Sequence, residues 1–209
     1  MSSELGMKWV YPFLAGLILT EVFMGTKTVT LAPLTPDDRE QFILDNQESF
    51  RFGAMEEFGR RDDHMEEDGE IISRATIERC IDGEHAEALR ILEDGRPVGG
   101  AVVKLDPVSY HNELELLFVT PHEHSKGVGF RAWQLIEERY PDTVVWETCT
   151  PYFETRNIHF YVNKCGFHIV EFFNCKHPDP HDPETGEVNN YDDGDGFDGM
   201  FRFEKRMKT

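Results

Sequence analysis

The chain has 209 residues, 39% hydrophobic and 12% aromatic, enough to bury a substantial core and well outside the composition of a disordered chain. Its 40 acidic against 21 basic residues leave a formal net charge of -19, a field that repels nucleic acid and anionic membrane surfaces and favours cationic partners. Four cysteines, Cys80, Cys149, Cys165 and Cys175, fall at irregular spacings with no C-x-x-C pair, as expected of reduced thiols in a cytoplasmic protein.

Trp9 to Met24 is strongly apolar, but Pro12 and Glu21 interrupt it and it is shorter than the roughly 20 apolar residues a bilayer needs. Glu4 beside Lys8, with no small-x-small site after the apolar run, does not fit a signal peptide either. An apolar extension over residues 1–23 ahead of one domain over 24–209 is the expected organisation. Thr28 to Ala32 then alternates like a strand. Thr35-Pro36-Asp37-Asp38 follows with an N-cap, a proline at the first helical position and acids in the first turn, predicting a helix to about Ser49. Residues 51–69 are charged and glycine-bearing and read as a loop or irregular helical connection, and a second helix is predicted over Glu70 to Ile81.

Ala86 to Glu93 and Val98 to Lys104 are apolar runs joined through Asp94-Gly95, a strong hairpin signal. A strand from Glu113 continues this antiparallel sheet. It ends in Phe118-Val119-Thr120-Pro121 and feeds a glycine turn and a helix over about Gly127 to Tyr140. Val144 to Thr148 reads as a strand, 154–165 as a helix stopped by Gly166, and Phe167 to Phe173 as another strand. Residues 176–199 carry Pro178, Pro180, Pro183 and an Asp-Gly run, which predict a long acidic loop before a last strand from Met200 to Met207. The order is that of a mixed α/β sheet flanked by helices.

A strand feeding a glycine turn and a helix N-terminus can hold phosphates, because free N–H groups and the positive end of the helix dipole converge there. The turn His124-x-x-Gly127-x-Gly129 matches neither the P-loop nor the dinucleotide fingerprint. Cys175-x-His177-x-x-x-His181 contains ligand types, but its spacing fits no closed zinc pattern and no metal is expected.

The run Leu117-Phe-Val-x-Pro121, followed by Gly127-x-Gly129 and an amphipathic helix, resembles the acetyl-CoA signature of the GNAT superfamily of N-acetyltransferases, [Q/R]-x-x-G-x-[G/A]. Phe160-Tyr161-Val-Asn-Lys-Cys-Gly166-Phe167 is similar to that family's aromatic pair followed by Gly-Phe. The resemblance implies one domain with a mostly antiparallel sheet, acetyl-CoA as cosubstrate, and direct transfer of acetyl to a primary amine, a small molecule or peptide.

It further implies that the amides of Ser125, Lys126, Gly127, Val128, Gly129 and Phe130 hold the pyrophosphate, while Phe118, Val119 and Thr120 pair with the pantetheine arm. His124 stands where the family has Gln or Arg. Tyr161 takes the position of the phenol that protonates the departing thiolate, and Asn157 corresponds weakly to an asparagine usually found further from the tyrosine.

An alkyl amine with a pKa of about 10.4 is mostly protonated at neutral pH, so attack needs a base. Glu113 and Glu115 share a face of the strand leading to the turn; Glu113 lies where several family members carry the base. The alternatives are a noncatalytic acyl-CoA-binding or regulatory module with the same cradle, or a structural domain with no cofactor. A homodimer is compatible with exposed sheet edges.

Overall fold

The computed structural model describes residues 27–58, 69–123, 127–174, 176–180 and 199–208. Among them are seven strands, β1 (Val29–Pro33), β2 (Ala86–Glu93), β3 (Arg96–Lys104), β4 (His111–Val119), β5 (Val145–Pro151), β6 (His168–Phe173) and β7 (Met200–Arg206). Four helices accompany them: α1 (Arg39–Phe58), α2 (Arg74–Ile81), α3 (Val128–Arg139) and α4 (Thr155–His159), the last continuing as a π-helical turn over Phe160–Cys165. The apolar extension over 1–23 and most of the acidic loop, 181–198, lie outside the described residues.

The strands form one sheet in the order β1-β2-β3-β4-β5-β7-β6, antiparallel except where β4 meets β5. This is the mixed, mostly antiparallel sheet expected. Asp94 and Gly95 both take positive φ, 51° and 80°, as a two-residue hairpin turn of this hand requires. The β4–β5 ladder is short, pairing only His111, Asn112 and Glu113 with Val145, Trp146 and Glu147. Beyond those rungs the two strands part.

Two predicted helices have different limits. The first helix runs through Gly53 to Phe58 instead of stopping near Ser49, because Ala54 is buried and Phe50 packs on the apolar layer beneath α1. Tertiary burial outweighs the weak helical preference of one glycine. It begins through a 3-10 turn at Pro36–Asp38, and Thr35 makes no side-chain cap bond. The second helix starts at Arg74, not Glu70, because Ser73 caps it by accepting the Thr76 N–H at 3.1 Å.

Helices α1 and α2 cover one face of β2–β4, with Phe42, Ile43 and Ile77 against Val102, Leu116 and Phe118. Helices α3 and α4 cover the other, where Trp133, Ile136, Tyr161, Phe167 and Phe203 meet Leu114 and Trp146. A Cβ on Gly100 would lie 2.8 Å from the Phe118 ring and overlap that of Phe42, whose edge-to-face packing has centroids 5.0 Å apart. This close approach seats α1 against the sheet, and buried Arg90, bound by Asp38 and Asp45 and stacked over Phe42, fixes its first turns.

Candidate active site

The parting of β4 and β5 opens a cleft of about 550 Å³. Leu117, Phe118 and Val119 of β4 form one wall, Glu154, Asn157, Phe160 and Tyr161 of the α4 region another, and Ser49, Phe50 and Gly53 of α1 a third. Gly127, Val128, Gly129 and Phe130, at the start of α3, close one end.

Gly127 holds φ +80°, a conformation that favours glycine, and a Cβ there would meet open space. The first helical bond of this turn runs from Arg131 N–H to Gly127 O at 3.0 Å, so the amides of Val128, Gly129 and Phe130 have no acceptor within the helix. Such a terminus beside an apolar-walled cleft fits the pyrophosphate and arm of a coenzyme A ester. His124, Ser125 and Lys126 lie outside the described residues. Phe130, 37% exposed, presents its ring at the cleft instead of packing in the core as Trp133 does.

On β4 the predicted arm contacts divide. Thr120 N–H donates to Val98 O at 2.8 Å and is therefore turned toward β3. Strand alternation turns Phe118 N–H the same way and leaves the amides of Leu117 and Val119 facing the gap. Leu117, which the motif reading did not select for binding, is thus better oriented than Thr120. Period-two alternation from Pro121 could have found it.

Glu113 and Glu115 lie on the α1–α2 face. The β3–β4 register shifts between Val102 and Val103, leaving Glu115 as the extra residue of a β-bulge. Its electrostatic neighbours are Glu113, Lys104 and Arg79, together with the Cys80 thiol. Burial, and then repulsion from Glu113, push the Glu115 carboxyl up to about 7, against weaker opposition from Lys104 and Arg79. Its Oε2 is buried with no hydrogen-bond partner among the described residues. The pattern marked both glutamates; the bulge that separates their environments has no signature in the sequence.

Tyr161 is 8% exposed, and burial holds its phenol well above the ordinary value. Thr148 hydrogen-bonds to it and donates its own hydroxyl to Leu114 O at 2.9 Å, at the point where β4 and β5 separate. Asn157 donates to Glu154 Oε2 at 3.0 Å and Thr150 Oγ1 at 3.5 Å. Burial pushes the thiols of Cys80, Cys149 and Cys165 up to about 12, so they are protonated at neutral pH.

Beyond α2, the same face carries Glu147, Glu171 and Glu204 around Arg202, whose guanidinium donates to all three at 2.7–3.0 Å. His111 and His177 contact Glu147 and Glu171 at 3.1 and 2.8 Å. His111, Glu147 and Glu204 bring ligand atoms within 4.8 Å of one another, but Arg202 already engages both carboxylates. His177 is engaged by Glu171, while Cys175 and His181 lie outside the described residues.

Comparison with known proteins agrees with this architecture. Residues 38–167 match the family model described as the acetyltransferase (GNAT) family. The chain is 47% identical over 173 residues to the uncharacterized protein YrkN of Bacillus subtilis strain 168, covering 82% of this chain and 89% of YrkN. The ribosomal-protein-S18-alanine N-acetyltransferase from Escherichia coli superposes with a TM-score of 0.60 at 13% identity, over 87% of this chain and 96% of that one. The PaiA N-acetyltransferase from Thermoplasma acidophilum, solved with coenzyme A, gives 0.55 at 16% identity, over 86% and 99%.

Proposed function

From the premise that this chain belongs to the GNAT acetyltransferase family, we propose that it transfers the acetyl group of acetyl-CoA to a cationic primary amine by direct attack. The observation that carries the reading is Glu115, a half-buried carboxyl raised to about 7 two residues before the cleft-lining Leu117 on β4, with one oxygen unpartnered among the described residues. A group poised near the operating pH is what removal of a proton from an ammonium requires.

The remaining roles follow from position. The amides of Val128, Gly129 and Phe130 hold the pyrophosphate, and those of Leu117 and Val119 orient the arm. Bound acetyl-CoA supplies an activated thioester carbonyl. Glu115 accepts the proton that frees the amine lone pair, and Glu113 keeps its affinity for that proton high. Tyr161, protonated throughout the neutral range, donates a proton as the thiolate leaves. The high thiol values support attack without an acyl-cysteine intermediate.

The net charge of -19 favours a positively charged amine. Residues 24–209 form the catalytic unit and 1–23 an apolar extension. Among the described residues no helix is long and apolar enough to cross a membrane, and the protonated thiols suit a cytoplasmic setting.

The test is release of free CoA thiol from acetyl-CoA across a panel of mono- and polyamines. Turnover with at least one cationic amine is expected. Binding of acetyl-CoA without turnover on any amine would leave a noncatalytic acyl-CoA-binding module.

A further inference from the structure

Asn46 is the least accommodated polar side chain of the described residues. It sits on α1 with 0% exposure, and neither its Nδ2 nor its Oδ1 has a hydrogen-bond partner among the described residues. Its neighbours are satisfied: Asp45 holds Arg90, Gln47 donates to Ile72 O at 3.4 Å, and Ser49 donates to Asp45 O at 2.7 Å. A buried amide left unmatched on both its donor and acceptor sides is rare, and an apolar residue of similar volume would serve α1 better if packing were its purpose.

Its surroundings suggest another purpose. Phe42, Ile43 and Phe50, at helical spacings from Asn46, pack on the layer that includes Leu116 and Phe118 of β4. Ser49 and Phe50, one turn further along α1, line the cleft. Glu115 precedes Leu116 on the same strand, and its Oε2 is also buried with no hydrogen-bond partner among the described residues. Two unmatched polar side chains thus border one layer, on two elements packed against each other.

We propose that Asn46 is a positioning residue for proton removal: with Glu115 it holds a water molecule between α1 and β4 that relays the acceptor's proton. This inference rests on the acetyl-transfer reading above. The acceptor N–H bond breaks as its proton passes to the water, a water proton passes to Glu115 Oε2, and the freed lone pair attacks the thioester carbonyl. A water there takes the Asn46 amide N–H on its lone pair and donates to the carboxylate, which suits the two to four polar partners buried water requires. The groups facing Glu115 from the packed elements are Glu113 on β4, Lys104 on β3, and Arg79 and Cys80 on α2.

The test uses Asn46→Leu and Asn46→Ser in the full chain, with steady-state kinetics, pH profiles and thermal unfolding. Asn46→Leu is expected to unfold at a temperature equal to or above wild type, because the buried Asn46 Oδ1 stays unmatched even with the relay water on its N–H. Its kcat should fall about tenfold or more with the KM for acetyl-CoA unchanged, and the acid limb of kcat/KM should move to higher pH as the carboxylate loses a donor. Asn46→Ser, which keeps a hydroxyl for the water, should recover part of the rate.

A lowered unfolding temperature in both variants would assign Asn46 a structural partner and overturn the proposal. Wild-type kcat and an unmoved acid limb would overturn it too. Absence of turnover in the wild type would instead sink the acetyl-transfer reading, which separates the two failures.

Discussion

Glu113 and Glu147 face each other across the last rung of the β4–β5 ladder, immediately before the strands part. Like charges placed so are unfavourable. Glu147 is offset by Arg202 at 2.7 Å and His111 at 3.1 Å, so its charge is spent locally and the repulsion that reaches Glu115 comes from Glu113. Removing the Glu113 charge by Glu113→Gln should therefore lower the Glu115 carboxyl and move the acid limb of kcat/KM below pH 7 while retaining turnover within a few-fold. A loss of two orders of magnitude would make Glu113 the base.

Glu115→Gln should lower kcat by roughly 10² to 10⁴ and remove the acid limb near pH 7. The stability change has a definite sign. The folded carboxyl titrates near 7 and the unfolded one near the ordinary 4.5, so folding favours the protonated form. Ionisation then costs stability as pH rises from 4.5 to 7, and the cost is complete above that window. Thermal unfolding should show Glu115→Gln more stable than wild type at pH 8 and indistinguishable from it at pH 4.

Tyr161→Phe preserves the ring packing with Phe167 and Phe203 and removes only the hydroxyl. A fall in kcat on the order of 10² with little change in acetyl-CoA binding is expected of a proton donor. Because burial holds the phenol high, the wild-type profile should show no descending limb between pH 8 and pH 9. Unchanged kcat in the variant would return Tyr161 to a packing role.

Acetyl-CoA at about 100 times its dissociation constant should add about 2.7 kcal/mol to the stability of the wild-type protein. Gly127→Ala meets no clash, yet places a side chain at φ +80°, which costs about 1–2 kcal/mol of backbone strain. Equilibrium denaturation should show that loss, and titration should show weaker acetyl-CoA binding in the variant. Equal affinity would remove the turn from the cradle.

Gly100→Ala should be worse tolerated. Its Cβ would press into the Phe42–Phe118 pair that seats α1 on the sheet, and such overpacking costs about 1–3 kcal/mol. Chemical denaturation checks the value, and a variant as stable as wild type would mean that α1 shifts freely.

Local pattern carried much of this architecture. Alternation marked the strands, Asp94-Gly95 marked the hairpin, and the Gly127 and Gly166 positions bounded two helices; these depend on backbone preferences that each residue brings with it. Legibility failed where distant contacts decide. The first helix reads as ending near Ser49, yet burial of Ala54 carries α1 past Gly53. Thr120 belongs to the motif, yet its amide is already committed to Val98. Glu113 and Glu115 look equivalent on a strand of period two, and only the register against β3 sets one in a bulge. Asn46 is an ordinary helical asparagine until α1 lies down on β4.

The brevity of the β4–β5 ladder has a mechanical meaning. Three rungs form the spine of a two-leaved sheet, with β1–β4 as one leaf and β5–β7–β6 as the other. An arm laid against Leu117 and Val119 would act as an added strand, stitching part of the open seam and slowing the exchange of those two amides with solvent. The acceptor would then meet leaves already set at a fixed angle, so on the proposed reading thioester first and amine second is the order expected of such a seam.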